Sequence, residues 1–263
     1  MDAINFHTHT FRCKHATGDV IDFAQAAFAQ GSRALGISDH VAWPDNRWPE
    51  VRMPYDQLDA YEAAIETARG ALPQMKIYKG MECEYDTVYH SYLQDELLGK
   101  RHYDYLIGAA HYTPLKGEWL NSFEALDTPA ALSAYAAYLI EMMETGLFAF
   151  IAHPDIFGCS NDRWTADLEA CSRDIFQAAE ATCTPLEING NGFRKTPRST
   201  PEGGERMRYP WRPFWEMAAD YRIQVICNAD AHHPEHVLAN MADGRRLAES
   251  LNLEVIASLQ NLS

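Results

Sequence analysis

"INFHTHTFRCKHA", residues 4–16, decides how this chain is read, because an apolar run with strand character delivers three histidines, His7, His9 and His15, within nine positions. His7 and His9 stand two apart, so an extended backbone projects both imidazoles from one face. On its own such a pair serves packing or the surface as readily as a ligand. The rest of the sequence has to supply the context.

Short apolar or β-branched runs alternate with helix-like segments from end to end, the pattern of βα units around a parallel sheet. The candidate strands are "INFH" (4–7), "ALGISDH" (34–40), "KIYKGMECEY" (76–85), "YDYLIGAAH" (103–111), "LFAFIAHPD" (147–155), "PLEING" (185–190) and "IQVICNADAH" (223–232). Between them, residues 19–31, 55–70, 132–146 and 166–181 carry apolar residues at a spacing near 3.6, and the first three segments close on glycine, a helix stop.

Six of these seven strands end in residues able to hold a metal: His7 with His9, His40, Glu82, His111, His153, and Asp230 with His232. "PLEING" ends in Glu187 and Asn189 instead. A βα barrel assembles its active site at the C-terminal ends of its strands, so these scattered side chains should converge on one rim. His15, on the loop after the first strand, should join them. Imidazoles with a few carboxylates suit Zn, Mn or Fe, and a set without cysteine argues against a closed structural zinc site. Glu84 shares a strand face with Glu82 and rivals it for the carboxylate role. His90, His102, His233 and His236 lie outside the pattern and read as structural, with His233 near enough to His232 to reach the rim.

The composition bounds the function. Lys plus Arg is 22 and Asp plus Glu is 37, so 22 − 37 = −15, a field that repels long nucleic acids and makes them unlikely partners. The six cysteines include no C-x-x-C pair, which suggests reduced thiols and a cytoplasmic setting. No signal-peptide pattern opens the chain, and no apolar run reaches membrane-spanning length. With no low-complexity linker, residues 1–263 read as a single α/β domain. Residues 42–54 and 191–211, rich in Pro, Arg and Trp, break the alternation and read as long functional loops.

In order along the chain, "HTHTFRCKHATG", "GISDH", "GMECEY", "GAAHY", "AHPD", "EINGNGFRK" with "RYPW", and "NADAHH" resemble the PHP (polymerase and histidinol phosphatase) superfamily, and most closely its histidinol-phosphate phosphatase branch. The resemblance implies a distorted TIM-like (β/α)7 barrel with three divalent ions, Zn, Mn or Fe, at the rim. It would place His7, His9 and Asp230 on one ion, with Glu82 bridging to a second held by His111 and His153. His15, His40 and His232 would hold the third. The "NGNG" after the sixth strand and Asn228 depart from the branch's usual pattern and bear on the substrate more than on the reaction.

The expected reaction is hydrolysis of a small phosphate monoester, with L-histidinol phosphate leading. A cationic amine on the substrate would suit an acidic pocket. Arg194 is the expected catalytic and substrate-binding phosphate clamp, because guanidinium offers paired donors that match phosphoryl oxygens. Asp155 could protonate the leaving oxygen, with His40 as the other candidate. The alternatives are a PHP-type phosphodiesterase or exonuclease, and a non-catalytic metal-binding regulatory module. The expected partner is a small phosphorylated metabolite, with no membrane; the sequence leaves the oligomeric state open.

Overall fold

The structure is a computed structural model that describes residues 4–259. Its parallel sheet is built from β1 (Ala34–Ile37), β2 (Lys76–Cys83), β3 (Tyr105–Gly108), β6 (Phe150–Ile151), β7 (Leu186–Asn189) and β10 (Gln224–Asn228) in that order, with β11 (Glu254–Val255) against the start of β10. Two antiparallel hairpins stand apart: β4 (Tyr112–Leu115) with β5 (Glu118–Asn121), and β8 (Arg198–Ser199) with β9 (Glu205–Arg206). The helices are α1 (Val20–Ala29), α2 (Leu58–Ala71), α3 (Pro129–Glu144), α4 (Ala166–Thr182), α5 (Arg212–Ala218) and α6 (Met241–Ser250), with a π-helical stretch at Tyr92–Lys100.

Residues 5–9 close the ring between β1 and the end of β10. Asn5 lies opposite Leu35 and Thr8 opposite Ala231, both parallel. The amides of Gly36 and Ser38 donate to the Asn5 and Thr8 carbonyls at 2.8 and 2.9 Å, and His9 N–H donates to Ala231 O at 2.8 Å. The expected first strand is therefore present as isolated bridges and not as a regular ladder. Side chains replace part of that ladder: Asn228 Oδ1 accepts from Phe6 N at 2.9 Å, Ser38 Oγ from Thr8 N at 3.1 Å, and Asp39 Oδ1 from Thr10 N at 2.8 Å. The result is the distorted (β/α)7 barrel.

Strand periodicity decides what fills it. Along β2, Tyr78, Gly80 and Glu82 share the inner face, and Tyr105, Ile107 and Ala109 continue that face along and beyond β3. Phe6, Tyr78, Tyr105, Ile107, Phe150 and Ile226 pack together in this interior. Tyr105 fills it because its neighbours are glycines: a Cβ on Gly36 would stand 2.1 Å from Tyr105 Oη, and one on Gly80 2.3 Å from Cζ. The phenol donates to Phe6 O at 2.6 Å, which satisfies its one buried polar atom. This plug fills the barrel below the strand ends and leaves them free to carry chemistry.

The larger core lies outside the strands, under the helices. All four helical segments read from the sequence are present as α1–α4. Three start on side-chain caps: Asp19 in a capping box with Asp22, Thr128 accepting from Ala131 N, and Thr165 accepting from Leu168 N. The long 42–54 loop packs as well as lines the site. Trp43 is buried in the outer core, and Trp48 stacks on Tyr112 of β4 with centroids 4.2 Å apart and planes at 4°. In the 191–211 loop, Arg206 lies 3.9 Å above the Trp211 ring.

Candidate metal centre

The strand ends converge as their spacing implies. Glu82, at the end of β2, is fully buried in the middle of the imidazoles. Its Oε1 lies 3.2 Å from His7 Nε2, 3.3 Å from His111 Nε2 and 3.1 Å from His153 Nε2. Its Oε2 lies 3.4 Å from His9 Nε2 and 2.9 Å from His40 Nδ1. Asp230 Oδ1 stands 3.3 Å from His9 Nε2, 3.7 Å from His7 Nε2 and 3.4 Å from His232 Nδ1. His15 joins through ring contacts, its centroid 4.8 Å from His232 and 5.4 Å from His40.

Among the described residues, five sets of side chains bring one ligand atom each within 4.8 Å of one another; four of them are His7, His9 and Asp230; His40, Glu82 and His111; His9, His40 and His232; and His9, Cys13 and Asp39. His15 gathers with His232 and Cys13 instead. His15, His40 and His232, expected as one ion's ligands, are adjacent but are not one such set. Cys13 escaped the sequence reading although it sits inside "HTHTFRCKH". Burial, reinforced by Asp39, raises its thiol pKa and keeps it protonated.

The electrostatics suit cations. Burial alone would raise the Glu82 carboxyl, but His111, His7 and His40 outweigh it and hold Glu82 well below the carboxylate range. Asp230 behaves likewise, through His7, His232 and His9. Burial, and next His9, pushes His232 down to about 3; burial, and next His232, pushes His15 down to about 4. Both imidazoles are thus neutral, with lone pairs available. Several buried polar atoms here meet only one another, without a well-aligned hydrogen bond, among them His7 Nε2, His9 Nε2, His40 Nδ1, Glu82 Oε2 and Asp230 Oδ1. Orphaned acceptor atoms in such number are costly unless something cationic meets them. The donor set fits divalent metal.

A second layer of carboxylates aims the imidazoles. Glu187 Oε1 lies 2.9 Å from His7 Nδ1, and Glu84 Oε1 lies 2.9 Å from His111 Nδ1 and 2.7 Å from Arg52 Nη2. Burial would lower His111, but Glu82 and Glu84 raise it to about 9. Glu84 is therefore placed behind His111, where it does not compete with Glu82. Glu187 also accepts from His153 N at 3.2 Å, Asn189 Nδ2 at 2.7 Å and Asn228 Nδ2 at 3.0 Å. Sequence reading missed the parts played by Glu187, Asp39 and Arg52, because their partners lie far away along the chain.

The centre opens into a cavity of about 450 Å³. Val51 and Arg52 of the 42–54 loop, Tyr112 and Asn121 of the β4–β5 hairpin, and Asn191, Arg194, Lys195 and Tyr209 of the 191–211 loop line it. His233 and His236, read as structural, line it too. His90 bonds Tyr85 and Gln94 away from it. The lining carboxylates among the described residues are Glu82 and Asp230.

Arg194 lines the cavity, but its guanidinium is already committed. Nη1 donates to Gly190 O at 3.0 Å and to Ala239 O and Asn240 Oδ1 at 3.2 Å; Nη2 donates to Ala229 O at 2.7 Å and Asp230 O at 3.1 Å. Asp155 is buried and absent from the cavity lining. Its Oδ2 accepts from Trp211 N at 2.5 Å and Trp215 Nε1 at 3.0 Å, which ties the end of the 191–211 loop to the barrel. His40 lines the cavity.

A seven-unit barrel whose strand ends gather imidazoles around a buried central carboxylate defines a class of metal-dependent hydrolase scaffold. The PHP domain family matches residues 5–191, more than half of the chain, and the chain belongs to that family. It is 28% identical over 247 residues to a protein of Deinococcus radiodurans named as a probable histidinol-phosphatase, covering 90% of this chain and 89% of that one. A Syntrophotalea carbinolica protein named as a probable phosphatase is 25% identical over 98% of this chain and 90% of its own. Among solved structures, histidinol phosphate phosphatase from Lactococcus lactis, complexed with zinc, L-histidinol and phosphate, superposes with a TM-score of 0.76 at 14% identity, covering 100% of this chain and 98% of its own. A second, from Listeria monocytogenes, gives 0.70 at 18% identity over 89% and 97%. These structural likenesses carry the fold.

Proposed function

We propose that the chain is a metal-dependent phosphoric monoester hydrolase acting on a small phosphorylated metabolite. The observation that carries this reading is the set of buried, unpartnered imidazole and carboxylate atoms gathered at the floor of an open cavity. His7, His9 and Asp230 would hold one ion, and Glu82 would reach from it to a second beside His111 and His153. His15, His40 and His232 offer a third position. Zinc is the metal named with the Lactococcus protein, and the same donors accept manganese or iron. Bound divalent ions acidify water and neutralise charge on a phosphoryl group.

The chain's own residues do the rest. Glu187 and Glu84 fix the ring orientation of His7 and His111, as carboxylates behind metal-binding histidines do. Arg194 acts as a positioning residue, because its donors hold the backbone on either side of Asp230. Asp155 anchors the loop that forms the far wall. His40 is left as the cavity-facing group able to pass a proton to a leaving alkoxide when no ion occupies its nitrogen. The names of the relatives support L-histidinol phosphate as the leading substrate. Six unpaired thiols, five of them buried, support a reducing, cytoplasmic setting; no helix among the described residues is long and apolar enough to cross a membrane.

The test is a panel of phosphomonoesters, including L-histidinol phosphate, and one dinucleotide, assayed with metal content measured on the same sample. Phosphate release from monoesters and none from the dinucleotide is expected. Metal-filled protein that releases phosphate from no monoester would refute the reading.

A further inference from the structure

Tyr209, in "RYPW" (208–211), lines the cavity beside the centre. It is only 2% exposed, and its ring meets the His153 imidazole edge-on, with centroids 6.2 Å apart and planes at 67°. Its hydroxyl differs from those of five other buried tyrosines. Tyr61, Tyr92, Tyr105, Tyr135 and Tyr138 each give theirs to a backbone carbonyl at 2.6–2.9 Å. The Tyr209 hydroxyl makes no hydrogen bond among the described residues, and it is not one of the orphans sealed in the interior, so it opens on the cavity. A buried phenol without a partner forfeits a hydrogen bond, and one that faces a binding cavity keeps it for a ligand.

The chain pins the residues around this ring. A Cβ on Gly192 would stand 2.5 Å from Tyr209 Cδ2, so only glycine lets the ring lie against that backbone. A Cβ on Gly158 would stand 1.9 Å from Arg208 O, and Asp155 Oδ2 takes Trp211 N at 2.5 Å. The phenol is thus held in one orientation before any ligand arrives. Burial, and next Asp230, raises its pKa, so it stays protonated and able to donate. The other groups expected to meet the ester are engaged elsewhere: Arg194 spends its donors on carbonyls, and Asp155 is absent from the cavity lining.

We propose that Tyr209 is a substrate-contacting residue whose phenol donates a hydrogen bond to an oxygen of the phosphoryl group. Its place beside His153 puts it against the part of the ester that must reach the ions, whatever alcohol is attached. This rests on the monoesterase reading and leaves the alcohol, L-histidinol included, as proposed above.

Tyr209→Phe removes the hydroxyl and keeps the ring, and no hydrogen bond of the described fold depends on that oxygen. Metal content and melting temperature should therefore match wild type. Binding of inorganic phosphate to the metal-loaded full chain, read by calorimetry, should weaken about tenfold or more, and kcat/KM should fall about 10- to 100-fold, the effect of losing a hydrogen bond to a charged group. The fall should be alike for L-histidinol phosphate and ethyl phosphate, whose alcohols differ and whose phosphoryl groups do not. Metal-loaded Tyr209→Phe with wild-type phosphate affinity and turnover overturns this inference and leaves the monoesterase reading standing. A loss confined to L-histidinol phosphate, or one that tracks lost metal, overturns it as well. Wild-type protein that releases phosphate from no monoester, with its metals in place, refutes the monoesterase reading and carries this inference down with it.

Discussion

Glu187→Gln is the substitution that best tests whether the second layer builds the centre. The two carboxylate oxygens of Glu187 accept from four donors: Oε1 faces His7 Nδ1 at 2.9 Å and Asn228 Nδ2 at 3.0 Å, and Oε2 faces His153 N at 3.2 Å and Asn189 Nδ2 at 2.7 Å. A glutamine of the same shape keeps one oxygen and turns the other into a donor. Whichever way the amide settles, two buried donors lose their acceptor, at about 1–3 kcal/mol each. The apo protein should therefore lose roughly 2–6 kcal/mol, about 4–24 °C in melting temperature for a chain of this size. His7 is also freed to rotate or change tautomer, so metal affinity should fall by about 10- to 100-fold. Calorimetry of the apo form reads the first effect, and competition with a zinc-responsive chelator the second. A variant with wild-type melting and wild-type metal affinity would show that Glu187 merely fills space, and the account of how the centre is aimed would fall.

Other changes act on separate parts. Stripping the ions with a chelator should abolish phosphatase activity and lower the melting temperature, since a ligand at about 1,000 times its Kd stabilises by about 4 kcal/mol; reconstitution with zinc, manganese or iron in turn, followed by activity, identifies which metals work. Arg194→Lys keeps the charge but loses the fork, and should weaken metal retention about tenfold while inhibition by inorganic phosphate stays as in wild type. The reverse pattern, with metals retained and phosphate binding lost, would restore the phosphate-clamp role. Gly192→Ala puts a methyl 2.1 Å from Tyr209 O, a backbone atom with nowhere to go, and should cost about 2–4 kcal/mol in a denaturant titration; a neutral result would mean that the 191–211 loop yields freely.

Much of this was legible because barrel architecture turns a one-dimensional pattern into a place. Period-two spacing puts His7 with His9 on one face, and the C-terminal ends of parallel strands share a rim, so the convergence followed without knowing any contact. Relations between distant segments were not legible. Glu84 reads as a rival ligand until Arg52, 32 residues away, and His111 are seen to claim Oε1. Arg194 reads as a phosphate clamp because guanidinium suits phosphate, and nothing in "NGFRK" tells that the carbonyls of 229, 230 and 239 already surround it. The β4–β5 hairpin was available and overlooked: Lys116 and Gly117 form its two-residue turn with φ of 54° and 85°, the left-handed geometry such turns require.

Backbone strain links these pieces. His153 and Asp230 are non-glycine residues at positive φ, 32° and 47°, and both stand among the candidate ligands. Such conformations cost on the order of 1–3 kcal/mol and persist only where surrounding contacts over-determine them. Those contacts are the ones just described. Glu187 accepts the amide of His153 at 3.2 Å, while Arg194 holds the carbonyls of Ala229 and Asp230 at 2.7 and 3.1 Å. Asn189 Nδ2 further ties Glu187 to Asp230 Oδ2, at 2.7 and 3.1 Å. The sixth strand and the loop that follows it thus supply the residues that keep its two neighbours' ends bent. That accounts for "PLEING" ending in glutamate and asparagine where the other strands end in histidine or a candidate ligand carboxylate: its position between β6 and β10 makes it the brace for both.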